Sequence, residues 1–259
     1  MTKIKNPYLT VINKYTKYSP KEFKDFEYKE IDVNMGDWFK KTALIEKETY
    51  KAYQRASLEL ESIGAECTLN SAGRTRFDQI YTKIEKFAGV LKSSKSIKKA
   101  FIDTKSETAR IGYSEHLSCL ALDIKISVDN MQIPYKLKEL YPQADIGTLK
   151  FLTKRLIMEK NGFILSYPTS PRLKEVTGVS KNEVWHWRYI GAEHAQMIGK
   201  LREKVSKILN RKEEVFLEDY VKLLEMDITA NNEKELIEQY ADHFIKDILK
   251  FENTEELKV

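Results

Sequence analysis

Cysteine is almost missing from this chain: Cys67 and Cys119 are the only two among 259 residues. Two thiols build no disulfide framework, and their scarcity fits a reducing compartment. Proline and glycine are thin as well, at six and ten. Neither a repeat of roughly 20 to 50 residues nor a low-complexity tract is visible, which excludes repeat arrays and long disordered segments. No apolar run approaches the roughly 18 to 20 residues of a membrane span. The apolar stretch near the start, Tyr8–Asn13, is too short for a signal-peptide core, and charged residues follow it closely. As it stands, the sequence is expected in the cytoplasm, with no integral membrane segment. Charge of one sign is scarce too. The 44 basic and 39 acidic side chains leave +5, a small and scattered excess whose densest cluster, Lys92–Lys99, reads as a short polar stretch. A nucleic-acid partner needs a concentrated basic face with aromatic stacking partners, and none is expected here.

What is present is ordinary for a soluble globular protein: 42% hydrophobic and 32% charged residues. The length suits one large domain, or one domain with a small appendage. Residues 8–32 read as irregular, with a short strand at Leu9–Ile12. A helix is expected over Thr42–Ile63, where Ile45, Thr49, Ala52, Tyr53, Ala56, Leu60 and Ile63 share a stripe and Gly64 supplies the stop. Cys67–Leu69 reads as a strand. A second helix covers Arg76–Leu91, with Phe77, Ile80, Tyr81, Ile84, Phe87 and Leu91 expected inward. Leu120–Ile126 alternates with period two, and places Ala121, Asp123 and Lys125 on one face. A helix over Ile146–Lys160 is followed by strands at Phe163–Leu165 and Val184–Ile190. These elements imply an α+β domain ending near residue 210. Beyond it, Ala195–Leu209, Val215–Met226 and Glu233–Phe251 read as helices. The last is amphipathic through Ile237, Tyr240, Ala241, Phe244, Ile245 and Ile248, and is expected to pack back on the domain.

Only four histidines occur: His116, His186, His194 and His243. His116 lies in Tyr113-Ser-Glu-His-Leu-Ser-Cys-Leu-Ala-Leu-Asp123, and His186 in Glu183-Val-Trp-His-Trp-Arg-Tyr-Ile-Gly191. Asp123 interrupts an apolar strand, where a buried carboxylate costs several kcal/mol unless it is paired or binds a metal. A strand aspartate on a solvated face is the plainer alternative. Two imidazoles and one carboxylate would make a three-ligand zinc site that keeps a fourth position open, as catalysis requires. Glu183, expected in the turn before the last strand, could take a proton from water there.

These two runs resemble the bipartite signature of the D-Ala-D-Ala metallopeptidases, Ser-x-His-x-x-Gly-x-Ala-x-Asp followed by Glu-x-x-His. That group (VanY-like, of the LAS type) includes vancomycin-resistance D,D-carboxypeptidases and D,D-dipeptidases, and L,D-carboxypeptidases of bacterial cell walls. Ser71-Ala-Gly-Arg74-Thr-Arg-Phe-Asp-Gln79 is similar to the family's Ser-Gly-Tyr-Arg-Ser-x-x-x-Gln segment. Asn161-Gly-Phe-Ile-Leu-Ser-Tyr167-Pro is similar to its Gly-Phe-x-x-Arg-Tyr-Pro element, and Tyr8–Lys14 resembles its opening strand. The likeness spans roughly residues 7–200 in order. It implies a small central antiparallel sheet flanked by helices, the LAS/hedgehog-like zinc peptidase fold, with a catalytic domain over 1–210 and a helical extension over 211–259. It implies Zn2+ on His116, Asp123 and His186, Glu183 as general base and later proton donor, and Arg74 against the developing oxyanion. Ser114, Gln79 and Tyr167 would line the substrate's terminal D-residue.

Three departures stand out: Cys119 replaces a glycine, Ala72-Gly73 replaces Gly-Tyr, and Ser166 replaces an arginine. None touches the expected ligands. The implied activity is D,D-carboxypeptidase action on a peptidoglycan stem peptide or a D-Ala-D-Ala-terminated precursor, at the cell wall if a leader has been removed. The rivals are an L,D-carboxypeptidase, a cytoplasmic D-Ala-D-Ala dipeptidase, and a non-catalytic zinc-bearing peptide-binding module.

Overall fold

The computed structural model describes residues 6–34, 40–226 and 228–256. The outer limits of the expected division, Met1–Lys5 and Leu257–Val259, lie outside the described residues. The chain does not begin with the expected strand at Leu9–Ile12. Asn6 accepts from the backbone N–H of Tyr8, and Pro7 opens a 3-10 helix, Pro7–Leu9, because proline in the first turn forfeits no needed donor. Leu9 and Ile12 are buried all the same.

Strands β1 (Tyr28–Asn34) and β2 (Lys40–Glu46) form an antiparallel pair. Both were missed in the sequence, since 28–32 reads as irregular and Thr42–Glu46 as helix. Thr42 and Leu44 are exposed while Ala43 and Ile45 are buried, a period of two that belongs to a strand. Glu46 ends it: its carboxylate accepts from the N–H groups of Glu48 at 2.9 Å and Thr49 at 2.7 Å, capping α1 (Lys47–Ser62). Gly64 follows at φ +85°, where a Cβ would meet the carbonyl of Asn130.

Next come β3 (Glu66–Ser71), α2 (Arg76–Ser94) and α3 (Ile97–Glu107). Thr75 caps α2 reciprocally with Asp78, and Ser96 caps α3, so the polar stretch Lys92–Lys99 spans the end of α2, the turn and the start of α3. The inward stripe expected of α2 holds only toward its end, where Phe87 and Leu91 are half-buried. Phe77, Ile80, Tyr81 and Ile84 are exposed and Gln79 is buried, because α2 turns its polar side to a cavity.

A 3-10 helix, Glu115–Ser118, leads into β4 (Ala121–Ser127). Then follow α4 (Tyr135–Leu140), α5 (Ile146–Lys160), β5 (Phe163–Leu165), α6 (Leu173–Thr177) and β6 (His186–Tyr189). The main sheet runs β3-β4-β6-β5, antiparallel throughout. Leu122, Ile124 and Trp187 from this sheet are buried with Ala52 and Leu60 of α1 and Met158 of α5. The fold is α+β.

The chain closes with α7 (Ala192–Leu209), α8 (Leu217–Leu224) and α9 (Glu233–Glu256). Tyr240, Ala241, Phe244 and Ile248 of α9 pack with Ile198, Leu201 and Val205 of α7, in a cluster that also takes Ile164 and Ile190. Arg155 of α5 reaches Glu214 with two bonds, at 2.9 and 2.7 Å, inside the protein. The last two helices therefore lie back on the body of the protein. No described helix is long and apolar enough to cross a membrane.

Candidate active site

The register of the main sheet builds the site. Asp123 of β4 and His186 of β6 are cross-strand partners, so the carboxylate and the second imidazole share a face without any loop to position them. His116 comes from the 3-10 helix just before β4. The donor atoms of His116, Asp123 and His186 all lie within 4.8 Å of one another. His116 Nε2 is 3.3 Å from Asp123 Oδ2, and His186 Nδ1 is 3.1 Å from Asp123 Oδ1.

The far side of each imidazole decides which nitrogen points into the cluster. Nδ1–H of His116 donates to the carbonyl of Ala72 at 2.6 Å, which leaves Nε2 for a metal. Nε2–H of His186 donates to Glu115 Oε2 at 2.9 Å, which leaves Nδ1. Outer partners of this kind fix the ring orientation and tautomer of metal-ligating histidines. Two held imidazole nitrogens and one carboxylate form a donor set that fits zinc.

The electrostatics point the same way. Burial opposes the charged form of His186, but its hydrogen bonds and charge contacts with Asp123 and Glu115 outweigh that, and the ring is pushed up to about 10. Burial would likewise raise Asp123. The charge of His116 and the bonds from both histidines outweigh it and hold the carboxyl well below its usual range. His116 is lowered, by burial and then by Arg74. Anionic Asp123 and Glu115 thus create a pocket that stabilises positive charge, and a cation entering it displaces the proton on His186 Nδ1.

Around this cluster lies a cavity of about 480 Å³, and the other expected site residues line it: Arg74, Gln79, Ser114, Tyr167 and Glu183. Glu183 sits in the turn before β6, held by its N–H to the carbonyl of Tyr167 at 2.9 Å. Its Oε2 is 3.9 Å from His186 Nδ1, and burial raises its pKa, which brings a carboxyl nearer the range where it can exchange a proton. Arg74 binds Asp123 Oδ2 at 2.6 Å and Ser71 Oγ at 3.0 Å, so its guanidinium is beside the expected metal position. The Tyr167 ring stacks on His186 at 4.8 Å, and burial keeps its hydroxyl protonated. Gln79 is partly committed elsewhere. Its amide donates to the carbonyl of Arg110 at 3.2 Å and accepts from the N–H of Gly112 at 2.9 Å, bracing the segment before Ser114.

Sequence reasoning missed Glu115, the partner of His186. Its signal was its place beside His116, but its target lies 71 residues away. Also missed were Lys14, Lys83, Lys86 and Lys181, which join the cavity wall from separate segments and favour a negatively charged ligand.

Residues 42–192 match the family model described as VanY, D-alanyl-D-alanine carboxypeptidase. A stretch of 98 residues is 37% identical to the bifunctional D-Ala-D-Ala dipeptidase and D-Ala-D-Ala carboxypeptidase VanXYC of Enterococcus gallinarum. That match covers 37% of this chain and 45% of the relative, under half of its length. Among solved structures, a mutant of the vancomycin-resistance D,D-pentapeptidase VanY from a VanB-type resistance cassette, in complex with Zn(II), superposes with a TM-score of 0.56. It is 23% identical, with 83% of this chain and 99% of that one covered. The LD-carboxypeptidase LdcB gives a TM-score of 0.51 at 22% identity over 84% of this chain and 87% of its own. These two likenesses establish a shared fold. With more than half of its length inside the family match, the chain belongs to the D-alanyl-D-alanine carboxypeptidase (VanY) family.

Proposed function

We propose that the protein is a zinc-dependent carboxypeptidase that removes a C-terminal D-alanine from peptidoglycan stem peptides or D-Ala-D-Ala-terminated precursors. The observation that carries the reading is Glu183: a half-buried carboxyl with a raised pKa, 3.9 Å from the open nitrogen of His186. A binding module has no use for a proton carrier at that place.

His116 Nε2, Asp123 and His186 Nδ1 would hold the metal. When bound, Zn2+ supplies a Lewis acid for the scissile carbonyl and makes a nearby water acidic enough to attack near neutral pH. Glu183 takes the proton of the attacking water and passes it to the departing amine. Arg74 presents fixed positive charge where the oxyanion develops, an effect typically worth about 3 to 4 kcal/mol. Ser114, Tyr167 and the remaining hydrogen-bonding capacity of Gln79 face the terminal carboxylate. Lys14, Lys83, Lys86 and Lys181 give the cavity the charge such a group seeks. Residues 1–210 form the catalytic unit in this reading, and the helices beyond it support them.

A second reading, L,D-carboxypeptidase or D-Ala-D-Ala dipeptidase action at the same site, draws support from the likeness to LdcB and VanXYC. Mass spectrometry of D-Ala-D-Ala, tetrapeptide and pentapeptide stems after incubation with the zinc-loaded protein separates them. Loss of one D-alanine from the pentapeptide alone is expected. Cleavage of the dipeptide or tetrapeptide alone would replace the proposal with its rivals.

A further inference from the structure

Helices α2 and α3 form a hairpin with an apolar outer face. On α2, Phe77, Ile80, Tyr81 and Ile84 recur at the spacing of one helical stripe, and Phe77 is 75% exposed. On α3, Ile97 and Phe101 are 72% and 64% exposed, while Ala100 and Thr104 beside them are buried. The two helices run antiparallel, and α2 gives Gln79, Lys83 and Lys86 to the cavity. The exposed stripes are the sides that Gln79 on α2, and Ala100 and Thr104 on α3, leave to solvent.

Charge gathers on the same hairpin. Residues 76–107 hold eight of the chain's lysines and arginines against Asp78, Glu85, Asp103 and Glu107, a net +4 to which Lys83 and Lys86 contribute from the cavity side. Lys92, Lys95, Lys98, Lys99 and Lys105, at the tip and along α3, are all exposed.

We propose that the α2–α3 hairpin docks the protein on an anionic lipid surface, with Phe77, Ile80, Tyr81, Ile84, Ile97 and Phe101 entering the headgroup boundary and the lysines meeting lipid phosphates. Aromatic and aliphatic side chains flanked by lysines are what an interfacial helix requires. A soluble polyanion would use the lysines and leave the apolar stripe in water. A second copy of this chain would bring the same exposed lysines against its own, which charge complementarity disfavours. The inference rests on the hairpin alone, whatever the cavity cleaves. Because the other side of α2 lines the cavity, docking places the cavity about one helix diameter, roughly 10 Å, from the lipid.

The test is co-sedimentation of the full chain with vesicles of phosphatidylglycerol and phosphatidylcholine, against phosphatidylcholine alone. Two variants accompany it, F77S/I84S/F101S and K95E/K98E/K99E, which change exposed positions and are checked for unaltered thermal melting. Binding to the anionic vesicles is expected, with each variant reducing it about tenfold or more. Failure of the parent to sediment with anionic vesicles would overturn the proposal. So would binding that survives the apolar variant, which is adsorption by charge alone. A dimer in solution that the apolar variant dissociates, without vesicle binding, would assign the face to a second copy instead.

Discussion

Glu115 holds the ring of His186 from behind: Nε2–H of the imidazole donates to Oε2 of the carboxylate over 2.9 Å, and both side chains are buried. The carboxylate fixes which nitrogen His186 offers and adds electron density to the ring. In Glu115→Gln the amide oxygen can still accept that hydrogen bond, but the charge is gone. Zinc affinity should fall about 10- to 100-fold, read by competition with a chromophoric chelator. Unchanged affinity would show that Glu115 serves packing only.

Cys119 and Gly73 occupy one another's space. Cys119 takes the left-handed conformation at φ +60°, and a Cβ added to Gly73 would collide with its sulfur and with the carbonyl oxygen of Leu44. The two departures from the family pattern are therefore one exchange of volume between neighbours. Gly73→Ala should cost about 1 to 3 kcal/mol by overpacking. Adding Cys119→Gly should recover part of this, since Leu44 still stands in the way. Denaturant melts of the double-mutant cycle decide it, and strictly additive losses would contradict the coupling.

Glu218 gives the fold a pH dependence of known sign. Burial pushes its carboxyl up to about 7 from an ordinary 4.5, against the opposing hydrogen bond from Asn13. A folded-state value above the unfolded one means that the proton stabilises the fold. That contribution is complete below about 4.5 and is lost as pH rises through about 7. Glu218→Gln should thus melt higher than the parent at alkaline pH, and the gap should close as the pH falls toward 4.5. A gap that is constant across this range would contradict it.

The closing helices matter to stability through particular side chains. Phe244 is buried between α9 and α7 and lies under the guanidinium of Arg172, 4.9 Å from the ring centre. Phe244→Ala should cost about 3 to 5 kcal/mol, seen as a lower denaturant midpoint. A midpoint equal to the parent's would show that α9 contributes little to the folded state.

How much of this was legible depends on range. His116 and Asp123 stand in one short run and His186 in another. The strand alternation around Asp123 already places it on a definite face, so their meeting could be anticipated. Glu183 was legible because its turn adjoins the last strand. Glu115 with His186, and Gly73 with Cys119, pair across 71 and 46 residues, and nothing local announces either. Helical periodicity found α2 but not which side faces inward, since an apolar stripe and a cavity-lining polar stripe are equally periodic. Thr42–Glu46 was read into the helix because strand alternation over five residues is too brief to override the long stripe that follows.

The most direct test of the central claim is Glu183→Ala, assayed beside the parent for bound zinc and for release of D-alanine from a pentapeptide stem. Glu183 is assigned to proton transfer and the metal to His116, Asp123 and His186. The account therefore predicts about one zinc per chain in both proteins and a loss of turnover by orders of magnitude in the variant. Release of D-alanine at the parent rate by the zinc-loaded variant would contradict it.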